Sequence, residues 1–127
     1  MISPTVVNFD KIGQIAITVD DLPRARAFYQ DTLGLKFLFD AGQLAFFKCG
    51  EIRLMLSPSE KSEPRGGTIL YYKVDDIDAT HAALKQRGVE FFQDPHLIAK
   101  MPDHDLWMAF LKDTEGNTIG IMCEVRS

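Results

Sequence analysis

Apolar and polar residues alternate over a short stretch near the start of the chain. In Gln14–Val19, Ile15, Ile17 and Val19 share one side, and polar or small residues occupy the other. A period of two with β-branched residues predicts a strand that has one face on a core. The stretch Ile69–Val74 predicts the corresponding strand in the second half of the chain.

A helical spacing of apolar residues follows the first of these strands. Asp20 and Asp21 precede it, and an aspartate at this place can cap the free amides of a helix N-terminus. The apolar residues at helical spacing are Leu22, Ala25, Phe28, Tyr29 and Leu33. Gly34 stands where a helix commonly ends, so we predict a helix over residues 22–33. Ile77–Arg87, followed by Gly88, predicts the equivalent helix in the second half.

Three further strand-like stretches follow each helix, and turn residues separate them. They are Lys36–Phe39, Leu44–Lys48 and Ile52–Leu56 in the first half, and Glu90–Gln93, Leu106–Leu111 and Thr118–Val125 in the second. Each half therefore predicts the element order β-α-β-β-β.

The two halves also repeat each other in sequence. The matched blocks are Val19–Leu22 with Val74–Ile77, Gly34–Phe37 with Gly88–Phe91, and Ile52–Leu54 with Ile119–Ile121. Three blocks in the same order indicate an internal duplication. We predict an α+β fold in one domain over residues 1–127, with a module at 10–58 and a module at 66–125. A linker at 57–67, rich in Pro, Gly, Ser and charge, joins them. The helix-free faces of the two sheets are expected to form a shared concave cavity.

Composition narrows the class of protein without naming a function. The 127 residues are 46% hydrophobic and 25% charged with a net charge of −4, which is typical of a globular domain and not of a nucleic-acid-binding protein. No apolar run reaches the ~18 residues of a membrane span, and the first residues lack the apolar stretch of a signal peptide, so we expect neither. Cys49 and Cys123 are expected to be reduced thiols. We therefore expect a cytoplasmic protein that binds neither nucleic acid nor membrane.

Two segments resemble the signatures of a known family. Ile15–Leu22 running into Ala27–Leu35 is similar to the first-module signature of the vicinal oxygen chelate superfamily, which includes glyoxalase I, extradiol dioxygenases and bleomycin resistance proteins. Phe110–Ile119 resembles its second signature, with Thr114 in place of a proline. The resemblance implies paired β-α-β-β-β modules, a small-molecule ligand in the cavity and a homodimer.

The resemblance also implies four metal-ligand positions, one on the first and last strand of each module. The residues at these positions are Gln14, Arg53, Ile69 and Gly120. Chelation of adjacent substrate oxygens needs a hard or borderline cation held by oxygen or imidazole ligands. Gln14 alone is compatible with that role, so we expect no classical metal site and no cofactor.

Strand alternation then selects the residues expected to face a ligand. They are Gln14, Arg53, Tyr71, Trp107 and Glu124. The guanidinium of Arg53 suits a carboxylate, phosphate or enolate, and its alternative role is a structural ion pair with Glu51 or Glu124. Tyr71 can stack on a ligand or simply fill space on the sheet, and Gly120 can leave room for a ligand or for packing.

Asp94–Leu106 is the least regular stretch, and its length predicts a loop that acts as a lid over a small molecule. It contains His96 and His104. Glu124 and His104 are the candidate catalytic residues. If a divalent metal binds, a rearranged site of Gln14, His96, His104 and Glu124 is the candidate.

Two functions follow from these observations. The first is a metal-independent protein of the bleomycin-resistance type that binds a small organic molecule. The alternative is a metal-dependent lyase, isomerase or dioxygenase that uses the rearranged site.

Overall fold

The computed structural model describes residues 12–58 and 68–126. Within these ranges the order of elements is the predicted one, two successive β-α-β-β-β modules, and the α+β class is confirmed. The first module contains β1 (Gln14–Val19), α1 (Leu22–Ala27), β2 (Lys36–Ala41), β3 (Leu44–Cys49) and β4 (Ile52–Pro58). The second contains β5 (Leu70–Lys73), α2 (Ile77–Gln86), β6 (Phe91–Lys100), β7 (His104–Lys112) and β8 (Thr118–Arg126).

Each module forms its own four-stranded sheet. The strand orders are β1-β4-β3-β2 and β5-β8-β7-β6. The first and last strands of a module pair in parallel, and the other pairs are antiparallel. The two sheets therefore share one topology, as the internal repeat predicts.

Both helices begin at the residues that their sequences predict. The side chain of Asp21 accepts a hydrogen bond from the Arg24 amide at 3.1 Å, and that of Asp76 accepts one from the Ala79 amide at 3.0 Å. Gly34 follows the first helix with a φ of 78°, a left-handed conformation that costs glycine little. The first helix differs from the prediction in its last turns, because Phe28–Thr32 is a π-helix. The fully buried Tyr29 lies in this π-helical segment.

The predicted lid over Asp94–Leu106 is wrong. Most of this stretch belongs to the long hairpin of β6 and β7, and Met101–Asp103 connects the two strands. The register between them shifts at three places along β6, where bulges interrupt the pairing. These bulges accommodate Pro95 and break the alternation of apolar residues, so the strand has the sequence pattern of a loop.

The predicted alignment of the last strands is wrong by two residues. Ile15 pairs with Leu54 in the first sheet, and its repeat partner Leu70 pairs with Ile119 in the second. The residue equivalent to Leu54 is therefore Ile119, and the equivalent of Gly120 is Met55. A shift by two preserves which side of the strand a residue faces, so alternation alone cannot detect it.

The helix-facing residues of both sheets pack into one hydrophobic core. Its largest fully buried side chains are Tyr29, Phe47, Leu54, Leu56, Leu111, Val19 and Cys123. Because both sheets turn their helix-covered faces to this shared core, their opposite faces lie on the outside. We call these opposite faces the free face of the first sheet and the free face of the second sheet.

The predicted linker lies largely outside the described residues. Its first two residues, Ser57 and Pro58, belong to β4, and residues 59–67 are not described. Cys49 and Cys123 are free thiols, as expected. No helix among residues 12–58 and 68–126 is long and apolar enough to cross a membrane.

Candidate functional site

The free face of the first sheet has a row of polar side chains that crosses all four strands. Gln14 pairs with Arg53, Arg53 with Lys48, and Lys48 with Lys36. We call Arg53, Lys48 and Lys36 the cationic row, and all three residues are exposed. Among the described residues none of the three has an ion pair, so the interpretation of Arg53 as a structural partner of Glu51 or Glu124 is wrong.

An apolar row lies beside the cationic row on the same face. It consists of Ala16, Met55, Phe46 and Phe39, again one residue from each strand. The rings of Phe46 and Phe39 stack with centroids 4.7 Å apart, and Phe39 is 45% exposed. The Gln14 amide nitrogen lies 3.7 Å from the sulfur of Met55, which joins the two rows at β1 and β4.

The free face of the second sheet has a cluster of three aromatic rings, Tyr71, Phe110 and Phe92. Tyr71 meets Phe110 edge to face at 5.9 Å, and Phe92 stacks on Phe110 at 6.1 Å. Tyr71 is 46% exposed and Phe92 is 53% exposed. This aromatic cluster gives the face an apolar surface in contact with solvent.

Gly120 lies beneath the ring of Tyr71. A Cβ atom at Gly120 would lie 2.5 Å from Cδ1 of Tyr71 and 3.2 Å from Cε1 of Phe110. The space that the missing side chain leaves is therefore filled by the cluster itself. Of the two roles predicted for Gly120, the structure supports packing.

Glu124 lies on the same free face but is held by two cations. Its carboxylate accepts hydrogen bonds from Lys73 at 3.1 Å and from Arg126 at 3.4 Å. The hydrogen bond from Lys73 is the main reason that the pKa of Glu124 lies below its ordinary value. A general base works best with a pKa near the working pH, so this arrangement does not favour Glu124 as a base.

The two histidines of the predicted lid lie on strands and have local partners. Nδ1 of His104 lies 2.8 Å from the Asp103 carboxylate, which Arg126 also contacts. The hydrogen bond with His104 is the first cause of a lowered pKa at Asp103. Nδ1 of His96 lies 2.8 Å from the backbone carbonyl oxygen of Asp94.

The candidate rearranged metal site is not assembled in one chain. Gln14 lies on the first sheet, whereas His96, His104 and Glu124 lie on the second. Within the described ranges no three His, Cys, Asp or Glu side chains are grouped in a way that could hold a metal ion.

The four positions that the resemblance assigns to metal ligands do not fit a hard cation either. With the corrected register they are occupied by Gln14, Met55, Ile69 and Gly120. This set offers one amide oxygen, one thioether and no carboxylate or imidazole, whereas the cation would need several hard donors. We therefore derive no chemistry through a metal at these positions.

Trp107 lies on the opposite side of the second sheet from Tyr71 and Glu124. It pairs with the buried Cys123 and packs against the hydrophobic core. The structure thus separates Trp107 from the other predicted ligand contacts of its sheet.

Sequence reasoning missed the buried carboxylate of Glu115, which lies in the turn between β7 and β8. It accepts hydrogen bonds from the amides of Asp20 and Asp21, both at 2.8 Å, and from the Arg24 guanidinium at 2.9 Å. Burial opposes its ionisation, but these bonds outweigh burial and lower the pKa of Glu115 to about 2. The turn sequence suggests only an exposed loop, so no signal in it identifies this contact between modules.

A second buried contact joins the same turn to the π-helix. The hydroxyl of Tyr29 donates a hydrogen bond to the Asp113 carboxylate at 2.7 Å. Asp113 also accepts bonds from the backbone amides of Glu115 and Asn117, both at 2.8 Å. Burial is the main cause of a strongly raised pKa at Tyr29, so the hydroxyl stays protonated.

A cavity of about 620 Å³ lies between the end of the first helix and the start of β6, with Phe28, Arg87 and Lys112 among its lining residues. None of the predicted ligand contacts lines it. The exposed rings and unpaired cations occupy the free faces, and the candidate site is therefore placed there.

Comparison with known proteins agrees with this architecture. A sequence model of the Glyoxalase/Bleomycin resistance protein/Dioxygenase superfamily matches residues 11–121. The chain belongs to this superfamily. The predicted family is thereby confirmed.

Individual members of the superfamily show the same similarity. A glyoxylase-like domain-containing protein of Didymella fabae is 32% identical, over 87% of this chain and 91% of the relative. TnmS3, an antibiotic binding protein from Streptomyces sp. CB03234, is 26% identical with a TM-score of 0.76, over 94% of this chain and 99% of TnmS3. Lactoylglutathione lyase from Agrobacterium tumefaciens is 24% identical with a TM-score of 0.73, over 91% of this chain and 95% of the lyase, and supports the fold alone.

Proposed function

We propose that this protein binds a small organic molecule on the free faces of its sheets. The observation that carries the proposal is the aromatic cluster of Tyr71, Phe110 and Phe92, because the fold itself leaves these rings uncovered. Such a surface offers a planar molecule both apolar contact and stacking geometry. The similarity to the antibiotic binding protein TnmS3 supports binding as the activity.

The proposed contacts are those predicted ligand residues that lie on free faces. Gln14 and Arg53 lie on the first sheet, and Tyr71 and Glu124 lie on the second. Trp107 is left out, because it packs toward the core.

We further propose that two copies complete the site as a homodimer. Each free face exposes apolar side chains that a single chain does not cover, such as Phe39 and Phe92. A dimer in which the first sheet of one copy covers the second sheet of the other would enclose a ligand between them. Sedimentation velocity tests this directly, since we expect a species of twice the 14.3 kDa chain mass at micromolar concentration. A monomer at all concentrations would contradict it.

The enzyme alternative makes a different prediction about metal. A lyase, isomerase or dioxygenase with a rearranged site would contain stoichiometric Zn, Ni, Mn or Fe. Elemental analysis of protein purified without a His tag separates the two functions, and a full equivalent of any of these metals would favour the enzyme.

Binding itself is tested by titration with the neutral fluorescent probe N-phenyl-1-naphthylamine. We expect saturable binding by the wild-type protein, and we expect Tyr71→Ala to weaken it about tenfold through loss of one stacking partner. Leu97→Ala is the matched control, because Leu97 is similarly exposed but pairs with Trp107 on the other side of the same sheet. Equal effects of both variants, or no saturable binding, would contradict the proposal.

A further inference from the structure

The free face of the first sheet has a row of positive charges next to a row of apolar side chains. Arg53, Lys48 and Lys36 are direct cross-strand neighbours, so three cations lie side by side across β4, β3 and β2. Adjacent strands are about 5 Å apart, which places the backbone positions of the three residues within roughly 10 Å along the row.

This arrangement costs stability in the absence of an anion. Like charges directly opposite each other on a sheet repel, and the described residues contain no acidic side chain paired with any of the three. Some cations elsewhere on the surface do have acidic partners, as Arg26 does with Asp40 at 2.8 Å and Lys73 with Glu124 at 3.1 Å. The cationic row is therefore a local concentration of unneutralised positive charge on a chain with net charge −4.

The neighbouring apolar row indicates what kind of molecule would neutralise the cationic row. Phe46 and Met55 lie two residues along their strands from Lys48 and Arg53, which is about 7 Å away. Phe39 lies three residues from Lys36, because the strand has a register shift between Phe37 and Phe39. A ligand with an anionic group at one end and a flat apolar body would contact both rows at once. Inorganic anions would reach only the first row, and neutral aromatic molecules only the second.

We propose that the ligand of this protein is a planar organic anion, whose carboxylate, sulfonate or phosphate group binds the cationic row while its apolar body lies on Phe39 and Met55. This inference rests on the proposed binding function and specifies the chemical class of its ligand. Arg53 supplies a planar donor fork for the anion, and Lys48 and Lys36 supply point charges beside it. Gln14, next to Arg53 in the row, supplies a neutral amide donor.

The test compares two probes that differ by a charge. 1-Anilinonaphthalene-8-sulfonate carries a sulfonate on the anilinonaphthalene body, and N-phenyl-1-naphthylamine has the same body without it. We expect the wild-type protein to bind the anionic probe at least about tenfold more tightly than the neutral one. We also expect this preference to decrease as ionic strength rises, because salt screens exposed charges.

Variants that remove charge test whether the cationic row causes the preference for the anionic probe. We expect the double variant Arg53→Gln/Lys48→Gln to lose the tenfold preference, so that its affinity for the anionic probe falls to about that for the neutral probe. The matched control is Lys85→Gln, an exposed cation on α2 away from both free faces, which should leave both affinities unchanged. The melting temperature of the double variant should stay equal or rise, because like-charge repulsion is relieved, whereas a structural role of the row predicts a fall.

Three outcomes overturn the proposal. If the protein bound both probes equally and Tyr71→Ala still weakened binding of the neutral probe, the claim that the ligand is an anion would be contradicted. The proposed binding function would stand. A double variant that loses dimerisation in sedimentation but keeps its probe preference would assign the row to an acidic surface of a second copy. Absence of saturable binding by either probe would contradict the binding function as well.

Discussion

At the scale of single residues, Gly120 links sequence to the proposed site most directly. A glycine in a central strand normally weakens the strand, yet here it leaves room for the Tyr71 ring, which meets Phe110 edge to face. The aromatic cluster can therefore adopt this geometry only because residue 120 has no side chain.

Gly120→Ala should therefore displace the Tyr71 ring. The added Cβ would lie 2.5 Å from that ring, and we expect a loss of about 1–2 kcal/mol in the free energy of unfolding. Probe binding should weaken together with stability. Denaturant unfolding of Gly120→Ala, Tyr71→Ala and the double variant checks the cause, because the double variant should recover most of the loss. Purely additive effects would show that the clash is not with Tyr71.

Tyr29 provides a second prediction at this scale. Tyr29→Phe leaves the buried Asp113 carboxylate without its hydroxyl donor, and we expect a loss of about 1–3 kcal/mol in the free energy of unfolding. Tyr71→Phe, which removes an exposed hydroxyl, is the control and should change stability by less than about 0.5 kcal/mol. Equal values for the two variants in urea titrations would contradict the role of the buried bond.

At the scale of elements, the β7–β8 turn holds the start of the first helix. Glu115 accepts hydrogen bonds from the amides of Asp20 and Asp21 and from the Arg24 guanidinium. One carboxylate of the second module therefore fixes the start of the first module's helix. The contact couples the modules without any shared strand.

The pH dependence of stability should report this contact. The pKa of Glu115 is lowered from an ordinary 4.5 to about 2, so its stabilisation is complete above pH 4.5 and is lost as pH falls from 4.5 to 2. We expect this group to contribute roughly 2–3 kcal/mol across that window. Urea unfolding of Glu115→Gln between pH 6 and 2 should show a flatter acid decline and lower stability at pH 6. Glu51→Gln, at an exposed glutamate, should keep the wild-type slope, and the same slope in both variants would contradict the account.

Sequence patterns predicted the elements well where alternation is regular and poorly where bulges occur. β1 begins and ends at the predicted residues, whereas the β6–β7 hairpin has the pattern of a loop because its register shifts three times. For the same reason the side of the sheet that Trp107 faces could not be predicted reliably across that irregular stretch. The contacts of Glu115 depend on how the two modules pack, which no local pattern encodes.

At the scale of the whole molecule, duplication produces two sheets around one core with two free faces. One face has a row of unpaired cations beside an apolar row, and the other has an aromatic cluster. The two modules predicted these helix-free faces around one shared concave cavity, whereas in a single chain the faces lie on the outside of the shared core. The chemistry of the two faces could not be predicted without the strand register, because only the register shows that Lys36, Lys48 and Arg53 are neighbours.

The central claim is that ligands bind on the free faces and not in the cleft beside the helices. Amide chemical-shift mapping of the labelled protein during titration with 1-anilinonaphthalene-8-sulfonate tests it most directly. The account predicts that the largest shifts cluster on β3, β4, β5 and β8, around Lys48, Arg53, Tyr71 and Gly120. Shifts concentrated around Phe28, Arg87 and Lys112, which line the cleft of about 620 Å³, would contradict it.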